Sequence, residues 1–164
     1  MPARTTSTKT DDALALLKKD HTNVKKLLRK LESSDDASER ENLLAEVAQE
    51  IEVHAQIEEE IFYPAFHRAA EESEDEKLFY EAAEEHGLVH IELPKLKQAD
   101  PGSDVFAARA KVLKDLIEHH AEEEEQELFP RVRKLLNRSE RIDLGNRLQA
   151  RKSALMNGGS ARRA

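Results

Sequence analysis

The stretch HAQIEEEIFYP at residues 54–64 decides the reading of this chain, because it returns without a gap as HAEEEEQELFP at residues 120–130. Both copies follow the outline H-A-x-x-E-x-x-x-F/L-x-P. His54 and Glu58, like His120 and Glu124, are four residues apart, one helical turn on the same face. That face is otherwise apolar. Leu44, Val47 and Ile51 lead up to His54, with Ile61 beyond Glu58; Phe106, Leu113 and Ile117 lead up to His120, with Leu128 beyond Glu124. Ionisable groups on a stripe meant for burial cost several kcal/mol unless something compensates their charge and lone pairs.

The same anomaly appears on two further stripes. One runs Leu14, Leu17, His21, Val24, Leu28, Leu31, and the other Phe79, Ala82, His86, His90, Leu93. Spacings of three and four residues mark amphipathic helices. The first helix is expected to start near Thr10 to Asp12 and to end at Ser33-Ser34-Asp35-Asp36. Ser38-x-x-Glu41 reads as the capping box of the second, which should kink or break at Pro64 and trail off near Glu71. Ser73-x-x-Glu76 reads as the cap of the third, with Pro94 disturbing its last turns. Asp100-Pro101-Gly102-Ser103 is a turn before a fourth helix over residues 104–136. Short connections imply antiparallel neighbours, so the expected fold is all-α, an antiparallel up-down four-helix bundle. Ser139 to Met156 adds a short C-terminal helix whose Ile142, Leu144, Leu148 and Leu155 are too sparse to build a core alone. Residues 1–9 and 157–164 are expected to be disordered.

Composition narrows the function. The 164 residues contain no cysteine, which excludes disulfides, iron–sulfur clusters, thiolate zinc sites and thiol catalysis. No apolar run approaches the roughly 18 residues of a membrane span, and Met1 to Lys9 lacks the apolar stretch of a secretory signal, so a cytoplasmic protein is expected. The net charge of −8 is uneven: 10 basic and 2 acidic residues from Arg131 onward leave residues 1–130 at −16. The basic segment reads as a solvated helix end with no assigned protein partner, and no aromatic interleaving supports nucleic-acid binding.

The chemistry therefore rests on His21, His54, Glu58, His86, His90, His120 and Glu124, which interrupt apolar seams on all four helices. A lone seam histidine is more often a hydrogen-bonded core residue, and a glutamate in a run such as Glu58-Glu59-Glu60 is more often solvated. The repeat and its distribution over four helices reverse that preference. Neutral imidazoles suit iron, zinc, copper or nickel, and a carboxylate can bridge two hard cations. A pair of cations accounts for all seven residues at once. His67 and His119 lie off the seams and are read as surface or supporting residues, and the five phenylalanines (Phe62, Phe66, Phe79, Phe106, Phe129) as core packing or the walls of a small-ligand pocket.

A histidine on the first helix, His54-x-x-x-Glu58, His86-x-x-x-His90 and His120-x-x-x-Glu124 together resemble the hemerythrin-like, HHE cation-binding family over about residues 10–136. The resemblance implies two iron ions with a bridging oxo or hydroxo group, Glu58 and Glu124 as bridging carboxylates, and the five histidines as terminal ligands. Hemerythrins proper close the fourth motif as His-x-x-x-x-Asp, a departure that bears on redox behaviour more than on metal binding. On six-coordinate irons this set leaves about one of 12 positions open, where O2, peroxide or nitric oxide can bind. Binding of such a small molecule is the leading expectation. Enzymatic decomposition of hydrogen peroxide or nitric oxide is the alternative, and an iron-sensing or regulatory module a third. A ferritin-like oxidase is disfavoured, since no histidine has a glutamate three residues before it.

Overall fold

The computed structural model describes residues 12–161, and the expectations for residues 1–9 and for the Arg162-Arg163 end lie outside them. Five helices account for the described chain: α1 (Ala13–Ser33), α2 (residues 37–69), α3 (Ser73–Lys97), α4 (residues 104–135) and α5 (Arg138–Ala161). No strand occurs among the described residues. None of these helices is long and apolar enough to cross a membrane.

The first four helices form the antiparallel bundle. Arg40 at the start of α2 donates to the carbonyls of Ser34 and Pro101, which ties the α1–α2 and α3–α4 turns together at one end. At the other end Arg131 of α4 grips Asp75 of α3, a carboxylate with no exposed surface that also accepts the N–H groups of Glu71 and Glu72. Asp12, at the edge of the expected start, caps α1 from outside its first turn, and Ser103 caps α4. Two caps fall earlier than Ser38 and Ser73. Asp36 accepts from the Glu39 N–H, and Glu72 forms a reciprocal box with Asp75, because an acidic side chain one or two residues upstream already satisfies the free donors. Pro94 does not break α3, which runs on to Lys97; the ring sits on the exposed face.

Pro64 and Pro130 are accommodated in one way. Each follows a five-residue π-helical turn, Glu58–Phe62 in α2 and Glu124–Leu128 in α4. There the N–H of Tyr63 reaches the carbonyl of Glu58, and that of Phe129 the carbonyl of Glu124. The wider turn absorbs the donor that proline lacks and the clash with the carbonyl four residues back, so neither helix breaks.

The fifth helix departs most from expectation. It is 24 residues long and carries Asn157-Gly158-Gly159-Ser160 within its span, where a disordered tail was expected. Leu144 and Leu148 are buried with Leu14, Leu17, Phe62 and Phe66, so α5 is a fifth wall against α1 and α2. Its few apolar residues suffice because the other helices supply the rest of that core.

The core is divided in two. One apolar half gathers Leu17, Ile57, Phe62, Phe66, Phe129 and Leu148, and the other Leu28, Leu31, Val47, Leu96, Phe106 and Leu113. Between them lies a layer of buried polar side chains, His21, Glu58, His86, His120 and Glu124.

Candidate metal centre

Six of the seven expected residues meet in that layer. Donor atoms of His21, His54, Glu58 and Glu124 lie within 4.8 Å of one another, and so do those of Glu58, His86 and His120. Glu58 belongs to both groups. One oxygen lies 3.1 Å from His54 Nε2 and the other 3.2 Å from His86 Nε2. Glu124 approaches His21 Nε2 to 3.2 Å and His120 Nε2 to 3.9 Å. His90 is the exception. Its side chain is 57% exposed and its Nε2 meets Glu59 at 2.8 Å, outside both groups. Positions three and four residues after His86 flank the same seam, and Val89 takes the buried one. The expectation of a buried fifth histidine is thus corrected for this structure.

A residue not anticipated from sequence takes the interior place. The hydroxyl of Tyr63 donates to Glu124 Oε1 at 2.6 Å and lies 3.0 Å from His86 Nε2 and 3.4 Å from His120 Nε2. The π turn causes this. In a regular α-helix the residue five beyond Glu58 points about 140° away, whereas an i→i+5 turn brings it back over Glu58. At the matching position of the second copy stands Phe129, stacked on the His21 ring at 6.0 Å. The two halves of the layer are therefore chemically unlike.

The outer nitrogen of each of the four histidines faces a carboxylate. Nδ1 of His21 pairs with Glu125 (3.0 Å), of His54 with Asp20 (3.5 Å), of His86 with Glu59 (2.8 Å) and of His120 with Glu85 (2.6 Å). Donation of Nδ1–H to a carboxylate fixes the tautomer that leaves the Nε2 lone pair facing inward, as metal-ligating histidines require. These carboxylates double the internal repeat. Asp20-His21 on α1 corresponds to Glu85-His86 on α3, and Glu58-Glu59 on α2 to Glu124-Glu125 on α4. The acidic neighbours of the seam residues were the available signal, and runs of glutamate disguised it.

The layer fits cations. His21 Nε2, His54 Nε2, Glu58 Oε1 and Glu124 Oε2 are buried without a hydrogen-bond partner. They approach one another to 3.1–3.2 Å without hydrogen-bond alignment. Buried orphans of this kind are rare and costly, and these four share one point. Burial opposes ionisation of Glu58, yet His54, His120 and His86 hold its carboxyl well below the usual range. Burial likewise opposes protonation of His54, but Glu58 and Asp20 outweigh it and push the imidazole up to about 10. Burial, with Glu124 and Glu58 beside it, holds the Tyr63 phenol well above its ordinary value. Against the cost of burial, the carboxylates around the imidazoles raise His54, His86 and His120 above the ordinary imidazole value, and a divalent ion at this point would take the place of those protons.

Beside the orphaned atoms is a cavity of about 20 Å³, walled by Val24, Ile51, Ala55, Val89, Ile117 and Ala121 and opening onto His21, His54, His86 and His120. It has room for about one water-sized molecule, and its walls offer almost no hydrogen bonds.

A five-helix bundle with a buried histidine–glutamate layer defines a cation-binding helical protein. Residues 12–132 match the family model "Hemerythrin HHE cation binding domain", and the chain belongs to that family. The crystal structure of a hemerythrin HHE cation binding domain-containing protein from Mycobacterium kansasii, a homologue of Rv2633c, superposes with a TM-score of 0.80 at 27% identity, covering 93% of this chain and 91% of that one. The uncharacterised protein Rv2633c of Mycobacterium tuberculosis is 28% identical over 142 residues, 85% of this chain and 84% of its own length. A DNA nickase of Nostoc sp. is 26% identical over 140 residues, and the chain spans 39% of that protein.

Proposed function

We propose that this protein holds two iron ions in the polar layer and binds a small oxygen- or nitrogen-based molecule (O2, peroxide or nitric oxide) at one of them. His21 and His54 would hold one ion and His86, His120 and Tyr63 the other, with Glu58 and Glu124 contributing to both. The single observation that carries this reading is the set of four buried, unpartnered donor atoms facing one point beside an apolar cavity. Imidazole, carboxylate and phenol donors without thiolate suit iron. With Tyr63 in place of a fifth histidine, the count of ligands would again leave about one of 12 positions for a small molecule, and the apolar cavity opens onto His21, His54, His86 and His120 beside it. Bound iron supplies reversible electron transfer and Lewis acidity. The protein's own part is to orient the ring nitrogens through their carboxylates, to exclude bulk water with Val24, Ile51 and Ile117, and to take up protons at the carboxylates.

Tyr63 favours turnover over reversible carriage. A phenolate is an anionic, hard donor that stabilises ferric iron, whereas an oxygen carrier must return readily to the ferrous state. The favoured reaction is disproportionation, two hydrogen peroxide molecules giving one O2 and two water molecules. Oxygen evolution from added peroxide, many turnovers per site, is the expected result. A stable, reversible O2 adduct of the reduced protein in stopped flow, without peroxide turnover, contradicts the enzymatic reading and leaves carriage. The coarser proposal fails with either if the purified chain carries no iron.

A further inference from the structure

The internal duplication exposes an asymmetry around the supporting carboxylates. On the α1 side, Asp20 holds His54 and also receives the ammonium of Lys152 from α5 at 2.5 Å, with Glu50 3.9 Å from the same nitrogen. Its counterpart on α3 is Glu85, which holds His120 through one oxygen. No lysine or arginine among the described residues pairs with Glu85. Its other oxygen lies 3.3 Å from His119 Nε2, which is itself 3.4 Å from Glu123. Where one half of the bundle supplies a cation of its own, the other presents one imidazole and two carboxylates whose donor atoms lie within 4.8 Å of one another.

A second feature leads inward from this cluster. A narrow crevice between α3 and α4 is lined by Glu81, Glu85 and Glu123 and also by Glu124. Glu124 is 2% exposed, and its Oε2 faces the buried centre, 3.2 Å from His21 Nε2. The same crevice therefore carries surface carboxylates and a carboxylate of the buried centre. Glu85 touches the centre too, through His120.

The geometry points to a third cation site, formed by Glu85, His119 and Glu123, that captures a divalent metal ion and passes it along the crevice to the buried pair. One nitrogen and two carboxylates bind ferrous, manganous, cobaltous or zinc ions with partial hydration, a set suited to transient capture rather than retention. Glu85 then serves twice, as a ligand on the surface and as the anchor of His120 inside. The inference rests on the metal-centre reading above.

The test is the rate at which metal-depleted protein takes up Co2+, followed by the visible bands of the bound ion, with metal content and melting temperature measured at the end. His119→Ala/Glu123→Gln touches none of the buried ligands. It is expected to reach the same two ions per chain and the same melting temperature as the wild type, but at least fivefold more slowly. Glu122→Gln, which removes an exposed charge nearby, is expected to load within twofold of the wild-type rate. Loading of the double variant at the wild-type rate overturns the surface site, as does equal slowing by Glu122→Gln, which shows only a general charge effect. If the double variant melts lower, His119→Ala alone, at a residue 60% exposed, decides by the same criterion with an expected slowing of about twofold or more. A wild-type chain that takes up no metal overturns the centre itself and this site with it.

Discussion

Tyr63 and Phe129 occupy matching places in two copies of one motif and differ by a single oxygen. That oxygen lies among Glu58, Glu124, His86 and His120. Phe129 shows that the fold accepts an unsubstituted ring at this place, so Tyr63→Phe is expected to keep the bundle while changing the metal chemistry. The iron-loaded wild type should show a phenolate-to-iron absorption band in the visible, and the variant should lose it; a band unchanged in Tyr63→Phe removes the tyrosine from the centre. His54→Ala should lower metal content sharply, to one ion per chain or fewer. His90→Ala should retain two, because His90 is exposed and its Nε2 meets Glu59 outside both groups. Metal analysis of the two proteins side by side separates these roles, and equal loss in both restores His90 to the ligand set. That His21, His54, Glu58, His86, His120 and Glu124 come together was legible because each breaks an apolar seam. His90 reads like them because a lone helix leaves positions i+3 and i+4 equivalent until its neighbours choose, and here Val89 takes the buried place. Tyr63 was invisible because its direction depends on a π turn, and regular helical geometry points it elsewhere.

Helices one to four were readable from period and punctuation, and the caps moved by one or two residues wherever an upstream acid served better. The proline-associated interruption of α2 was legible as a disturbance and not as a π turn, since sequence shows the missing N–H and not how the backbone absorbs it. Nor was the length of α5 apparent, for its apolar residues are few and their partners lie on α1 and α2. Packing and ion pairs hold it there: Leu148 is fully buried, Arg151 pairs with Glu60, and Lys152 reaches Asp20. Leu148→Ala is expected to destabilise the protein by roughly 2–4 kcal/mol, read from denaturant unfolding, as for other leucines removed from a packed core. A change below about 0.5 kcal/mol would show that α5 is an appendage.

At the scale of the molecule, two apolar halves enclose a charged layer, and ion pairs at the ends keep the helices in register. The Arg131 guanidinium beside Asp75, helped by the N–H groups of Glu72 and Glu71, outweighs the cost of burial and holds its carboxyl at about 2. A carboxyl depressed below its ordinary 3.8 binds its proton more readily in the unfolded chain. Its contribution is complete above about pH 4 and is lost as the pH falls through about 2. Asp75→Asn should therefore cost about 1–2 kcal/mol at pH 7, discounted for the partial exposure of Arg131, with the gap from wild type closing near pH 2. A gap independent of pH would place the effect in packing rather than charge.

The polar layer itself is the claim on which the rest depends, and metal analysis with a visible spectrum of the purified, reconstituted chain addresses it most directly. Two irons per chain, coloured by bridging-oxygen and phenolate absorption and released by a chelator with a marked fall in melting temperature, is the predicted result. A colourless chain that holds zinc, or that melts at the same temperature with no metal at all, contradicts it.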